Sequence, residues 1–227
     1  MTAKPRIETR KSHSHENVTR RRKSTDSSNI PSKVALRLWL LKKMGIKEVY
    51  VLDTCAGEGK IWEAMQKQDE ITVRQWTRCD IKPRRNGVIK LDATDAIEQM
   101  PLDTYNVIDI DPYGEPWEPY LALLERITKP TAVFLTSCQL GGRQPMSIVS
   151  CEAVGIPATW APQIPRESAL PRFVSERILN QTVEYVDVMH AGRMVLDPDT
   201  NLETGRAGHG HAFVTYYALG LRPKAAA

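Results

Sequence analysis

The sequence lacks any long apolar run: no stretch of the 227 residues approaches the roughly 18 apolar residues that mark a membrane-span candidate. It also lacks CxxC spacing, since the four cysteines are the scattered Cys55, Cys79, Cys138 and Cys151. The N-terminus is polar and has no apolar signal core, so export is not expected, and reduced thiols in a cytoplasmic protein are. No internal repeat is present. Two histidines, His209 and His211, stand two apart in "TGRAGHGH" without a third ligand, so that stretch is read as a polar hairpin loop and no metal site is expected. What remains is an ordinary globular composition, 41% hydrophobic and 26% charged, in a chain long enough to fold without staples.

Charge is unevenly placed. The chain carries a net +4, yet residues 1–24 hold eight basic residues against two acids, a local +6 that leaves −2 for the rest. Residues 1–29 are rich in Ser, Thr and Arg and short of large apolar groups. Such a segment buries too little surface to offset its ordering entropy, so a disordered basic arm is expected, followed by one folded domain over 30–227. Two readings of the arm stand together: a cationic segment that finds phosphate, and a solvated tail without a partner.

Beyond the arm, "SKVALRLWLLKKMG" from Ser32 reads as a helix, with Ser32 as cap, Val34, Leu38, Leu41 and Met44 on one side, and Gly45 ending it. Strands and helices then alternate. Strands are expected at 48–53, 72–80, 87–92, 105–111 and 131–138, with helices at 59–68, 93–100 (Thr94 as cap) and 115–128 between them. That order predicts an α/β fold with a parallel sheet covered on both faces. The last third departs from it. A helix over 171–181 is followed by strands at 183–192 and 211–220 with no crossover helix between them, which predicts an antiparallel C-terminal hairpin and seven strands in all.

Four expected strands end on or beside acids: Asp53, Asp80, Asp92 and Asp111. In an open α/β sheet the ligand lies beyond the carboxyl ends of the strands. The first strand leads into "DTCAGEGK", where Gly57 and Gly59 permit a tight turn and close backbone approach, and Asp80 follows Gly59 by 21 residues, a spacing suited to a ribose diol. A dinucleotide fingerprint wants a third small residue where Trp62 stands, and a phosphate-binding loop wants a different glycine spacing and a hydroxyl after Lys60, where Ile61 stands. Asp53 would repel a pyrophosphate and suit a cation. S-adenosylmethionine (SAM) offers an ammonium, a sulfonium, a ribose diol and an adenine amine, and no phosphate.

"VLDTCAGEG" resembles the first motif of class I SAM-dependent methyltransferases. The resemblance covers roughly Lys47 to Leu219 and implies a Rossmann-like fold in which Asp53 and the loop of Cys55, Ala56, Gly57 and Gly59 hold the methionine part, Asp80 binds the ribose, and the "LDA" segment, with Asp92 and Ala93, meets the adenine. "DPYG" at 111–114 is similar to the D-P-[FY]-G or [DNS]-P-P-[YFW] sequence of family members that methylate exocyclic amines of nucleobases, and most like that of tRNA guanine-N2 methyltransferases. The residue types suit that chemistry. A base amine is a poor nucleophile because its lone pair is delocalised into the ring. The Asp111 carboxylate and the Pro112 carbonyl can accept its two N–H bonds and free the lone pair, proline itself having no N–H, while Tyr113 offers a face for the base, worth roughly 1–3 kcal/mol. The target must be unpaired or leave its helix to reach such a pocket.

Asp109 receives no role, Glu115 is expected to cap the following helix, and Arg143, Trp160 and Arg166 are weaker candidates on loops. The expectation is therefore a SAM-dependent methyltransferase acting on a nucleobase amine in nucleic acid, RNA before DNA, with the basic arm supplying phosphate contacts. The alternatives are an N-methyltransferase of a small molecule or protein, for which losing 1–29 leaves turnover unchanged, and an inactive SAM-binding partner subunit, which binds the cofactor without turnover.

Overall fold

The computed structural model describes residues 29–112, 114–139, 147–160, 170–196 and 213–225. The basic arm up to residue 28, Tyr113, Arg143, Arg166, His209 and His211 lie outside the described residues.

Helix α1 spans Ile30–Lys43 and begins two residues earlier than expected. Asn29, in the left-handed region at φ 66°, is the N-cap, and Pro31 takes the first turn, where its missing N–H costs no hydrogen bond. Ser32 is therefore inside the helix rather than its cap. The buried face is also rotated from the expected stripe: it carries Val34, Leu36, Leu40 and Leu41 together with Lys33 and Arg37, while Leu38 and Met44 are half-buried.

Strand β1 is Glu48–Asp53 and β2 is Thr72–Asp80, as expected, with α2 at Lys60–Met65 between them. Strand β3 shrinks to Ile89–Lys90. Its expected first residue, Gly87, turns at φ 75°, and its expected last, Asp92, leaves the strand to cap α3 (Ala93–Gln99) by accepting the Asp95 N–H at 2.9 Å. Thr94 is thus within the helix it was expected to start.

Strand β4 is Val107–Ile110, so Asp111 stands just past its end. Helix α4 (Trp117–Leu124) and β5 (Thr131–Gln139) follow. A short helix, α5 (Ile148–Ala153), was not anticipated. Helix α6 runs Leu170–Tyr185 and passes directly into β6 (Val186–Leu196), taking up residues 183–185 that alternation had placed in the strand; β7 is Phe213–Pro223.

The seven strands form one sheet in the order β3-β2-β1-β4-β5-β7-β6. All pairings are parallel except β5 with β7 and β7 with β6. This is the expected α/β architecture with its antiparallel C-terminal hairpin. Alternate residues of each strand feed two cores. Val49, Val51, Val107, Ala132, Phe134 and Ala218 face α1 and α2, while Leu52, Ile108, Ile110, Val133, Leu135 and Leu219 face α3, α4 and α6. The chain order reverses between β1 and β4, the switch point at which such sheets open a crevice beyond their carboxyl ends.

Candidate active site

The loop from β1 to α2 is pinned across that switch point. Thr54 donates its backbone N–H and its hydroxyl to the Asp109 carbonyl on β4, at 2.9 and 3.0 Å, and the Ala56 N–H reaches the Cys79 carbonyl on β2 at 2.9 Å. Gly59 closes the turn at φ 75°, and a Cβ there would stand 2.7 Å from the Trp76 ring, so both the backbone angle and the space require glycine. The loop bridges the two strands that flank β1 and draws Cys55, Ala56 and Gly57 to the rim.

Asp80 braces this loop. Its Oδ2 accepts the Gly57 N–H at 2.9 Å and its Oδ1 accepts the Lys82 N–H at 2.7 Å. Each oxygen keeps a second lone pair for a ligand hydroxyl. Asp92 is exposed and Ala93 opens α3; the cap bond uses Oδ1 of Asp92, and its other oxygen remains at the surface.

Three further carboxylates stand on the α1 side of the sheet. Asp53 and Asp109 are register partners on β1 and β4, and Asp111 follows two residues on. Their surroundings differ. Asp109 is fully buried and paired with Arg37: Nε reaches Oδ2 at 3.0 Å, and Nη2 reaches both oxygens at 2.8 Å. The Trp62 indole N–H adds a third donor at 2.7 Å. Burial works to raise the Asp109 carboxyl, and the Arg37 charge and these bonds work against it. Asp111 is paired with Lys33, Nζ to Oδ2 at 2.6 Å. Asp53 is only 5% exposed and has one neutral donor, the Trp76 indole N–H at 3.1 Å, with no ion pair among the described residues. Burial first, and then the neighbouring Asp109 charge, push the Asp53 carboxyl well above its ordinary 3.8.

The rim therefore collects Asp53, the Cys55–Gly59 loop, Asp80, Asp111 and Pro112, with Asp92 and Ala93 further along at the β3 end. The Glu115 expectation is corrected: Pro116 is the N-cap of α4, and Glu115 instead accepts the Ser147 N–H at the start of α5, at 3.4 Å. Trp160 is 62% exposed. Sequence reasoning missed Lys33 and Arg37. Their signal was present as two cations four residues apart, flanked by Val34, Leu36, Leu40 and Leu41. It missed Trp62 as well, whose indole holds Asp109 at the position where a dinucleotide fold needs a small residue.

No family model and no curated protein matches the chain. Among solved structures it is similar to Trm1 from Pyrococcus horikoshii in complex with S-adenosyl-L-methionine, at 16% identity and a TM-score of 0.44 over 84% of this chain. It is also similar to a candidate methyltransferase from Streptococcus mutans (SMU.1697c) in complex with SAH, at 12% identity and a TM-score of 0.36, over 76% of this chain and 87% of that one. The chain spans 55% of the length of the Trm1 chain.

Proposed function

We propose that this protein is a SAM-dependent methyltransferase that modifies an exocyclic amine of a nucleobase in nucleic acid, RNA before DNA. The observation that carries the reading is Asp53: a buried carboxylate beside a glycine loop, with no cation bonded to it among the described residues, while its neighbours Asp109 and Asp111 each have one. An acid so placed favours a ligand that brings its own positive charge. The donor set suits SAM in other respects. Asp80 holds spare lone pairs for a ribose diol, Asp92 and Ala93 would meet the adenine edge, and the loop of Cys55, Ala56, Gly57 and Gly59 would let backbone approach the methionine end. When bound, SAM supplies an electrophilic methyl on positively charged sulfur.

The acceptor side falls to the end of β4. Asp111 and the Pro112 carbonyl accept the two N–H bonds of the target amine, and Tyr113 stacks on the base. These contacts raise the electron density on nitrogen, which would take the methyl group as its bond to sulfur breaks and the donor leaves as a neutral thioether. Nitrogen then releases a proton, which Asp111 or water takes, so no strong base is needed.

A nucleic-acid partner is supported by charge on the folded domain as well as by the arm. Residues 72–90, β2 and the turn into β3, hold six basic residues against one acid. Lys82, Arg84, Arg85 and Lys90 are exposed, and this segment leaves the rim directly at Asp80. A cationic strip beside a ligand crevice attracts a phosphate backbone.

The test is transfer of tritium from methyl-labelled SAM to pooled tRNA, rRNA and DNA, followed by nucleoside analysis. Label is expected in an N-methylated base of one RNA fraction, and Asp111→Ala should abolish it while SAM affinity stays within a few-fold. Absence of label from every pool, with SAM bound, would refute the reading. A large loss of SAM affinity in Asp111→Ala would move that residue to the cofactor.

A further inference from the structure

Two rungs join α1 to the end of β4, and they differ in kind. Arg37 engages both oxygens of Asp109, and together with Trp62 it closes that carboxylate to any ligand. Lys33, one turn earlier, engages a single oxygen of Asp111, and no bond from another described residue reaches Oδ1. The Lys33 side chain is 7% exposed and that of Asp111 18%, so this is not a surface ion pair. The ammonium also lies 4.9 Å from the centre of the Tyr216 ring on β7, and the Lys33 carbonyl accepts Arg37 Nη1 at 3.1 Å. Lys33 is thus held from three sides, by β4, by β7 and by its own helix.

We propose that Lys33 is the positioning residue of the acceptor carboxylate, an inference that rests on the assignment of Asp111 and Pro112 to the target amine. Lys33 supplies the counter-charge that Asp111 needs on a rim already crowded by Asp53 and Asp109. It also fixes the plane of the carboxylate through Oδ2, so that Oδ1 is aimed and available to an amine N–H. An ammonium does this as a point charge through one contact. A guanidinium is a planar fork that tends to take both oxygens of a carboxylate, as Arg37 does here. The choice of lysine at 33 and arginine at 37 therefore separates a carboxylate kept open for a substrate from one closed for structure.

The test compares wild type, Lys33→Arg and Lys33→Met in the full chain. Melting temperature, SAM dissociation constant by calorimetry, and kcat and KM for the labelled nucleic acid are measured on each. Lys33→Arg should fold as stably as wild type and bind SAM within twofold, yet lose at least tenfold in kcat. Lys33→Met should lose a similar or larger factor in kcat, again without a matching loss of SAM affinity. A wild-type rate in Lys33→Arg would overturn the proposal by showing that charge alone suffices. A rate in Lys33→Met equal to or above wild type would overturn it by showing that the lysine is idle or obstructs the amine. If wild type itself transfers no methyl group to any nucleic acid, the functional reading fails first and takes this inference with it.

Discussion

Asp53 sets a conflict between stability and function at a single side chain. Its folded carboxyl lies well above the ordinary 3.8, chiefly through burial and then through Asp109. Between those two values the native state holds a proton that the unfolded chain has lost, so the contribution of Asp53 is fully present below pH 4 and declines as pH rises through the folded value. Asp53→Asn keeps an acceptor for the Trp76 indole and removes the charge. The variant should be more stable than wild type at pH 8, by about 1–2 kcal/mol or a few degrees in melting temperature, with the gap closing toward pH 4. Its SAM affinity should fall at least tenfold. A less stable Asp53→Asn at pH 8 would contradict the assignment. In wild type a bound ammonium or sulfonium favours ionised Asp53, so cofactor binding should expel a proton. Affinity should then rise with pH as Asp53 ionises, and calorimetry in buffers of different ionisation enthalpy should register proton release; proton uptake would argue against an Asp53–cation contact. From the sequence, Asp53 was legible as a strand-end acid suited to a cation. Its having no ion-pair partner among the described residues was not, because its bonded neighbour there is the Trp76 indole, 23 residues away.

At the scale of elements, α1 shows what alternation and periodicity cannot supply. The sheet was readable because each strand is a short β-branched or aromatic run closed by an acid or a turn, and five of seven were placed closely. Three errors share one cause: side chains near an element's end chose the boundary. Pro31 started α1 early, Asp92 left β3 to cap α3, and α6 ran on through residues 183–185 because no breaker stands before β6. The inward cations of α1 were hidden for a different reason. A charge on a helix reads as solvent-facing until a buried partner is known, and Asp109 and Asp111 lie more than 70 residues on. The Arg37 rung should be costly to break. Arg37→Met strands a buried carboxylate and should destabilise by about 3–5 kcal/mol, whereas adding Asp109→Asn to it should restore part of that loss. Denaturant unfolding of the two single variants and the double one gives the coupling directly. An Arg37→Met protein within 1 kcal/mol of wild type would mean that α1 is held by its apolar face alone. Beside that face, the partly exposed Trp39 makes a tight join with the sheet edge, where a Cβ on Gly192 of β6 would stand 2.6 Å from its ring.

For the whole molecule, the decisive quantity is where the positive charge sits. The net +4 conceals a basic arm of +6 over residues 1–24 and a second basic segment of +5 over residues 72–90, so everything else is acidic. The arm was evident from composition. The second segment was not, because apolar strand residues interrupt it; in the fold Arg74 and Arg85 pair with Glu48 and Glu63, and Lys82, Arg84 and Lys90 are exposed on the edge that follows Asp80. That edge starts at Asp80, within the candidate rim, so a backbone lying on it would place a nearby unpaired base at the crevice. Each phosphate contact on a single strand contributes a slope of about −0.7 in log affinity against log salt. Replacing Lys82, Arg84 and Lys90 with alanine should therefore weaken RNA binding and flatten that slope by about two units. It should leave SAM affinity within a few-fold, because the three side chains are exposed beyond Asp80 and Lys82 meets that acid through its backbone N–H, which alanine keeps. Deleting residues 1–28 should flatten the slope separately, and the two effects should add, since the arm and the strip are distinct sources of charge. Fluorescence anisotropy on an unstructured RNA at several salt concentrations distinguishes the cases. An unchanged slope in the triple variant would leave the arm as the sole anchor. An unchanged slope in both would remove nucleic acid from the list of partners and return the acceptor to a small molecule or a protein side chain.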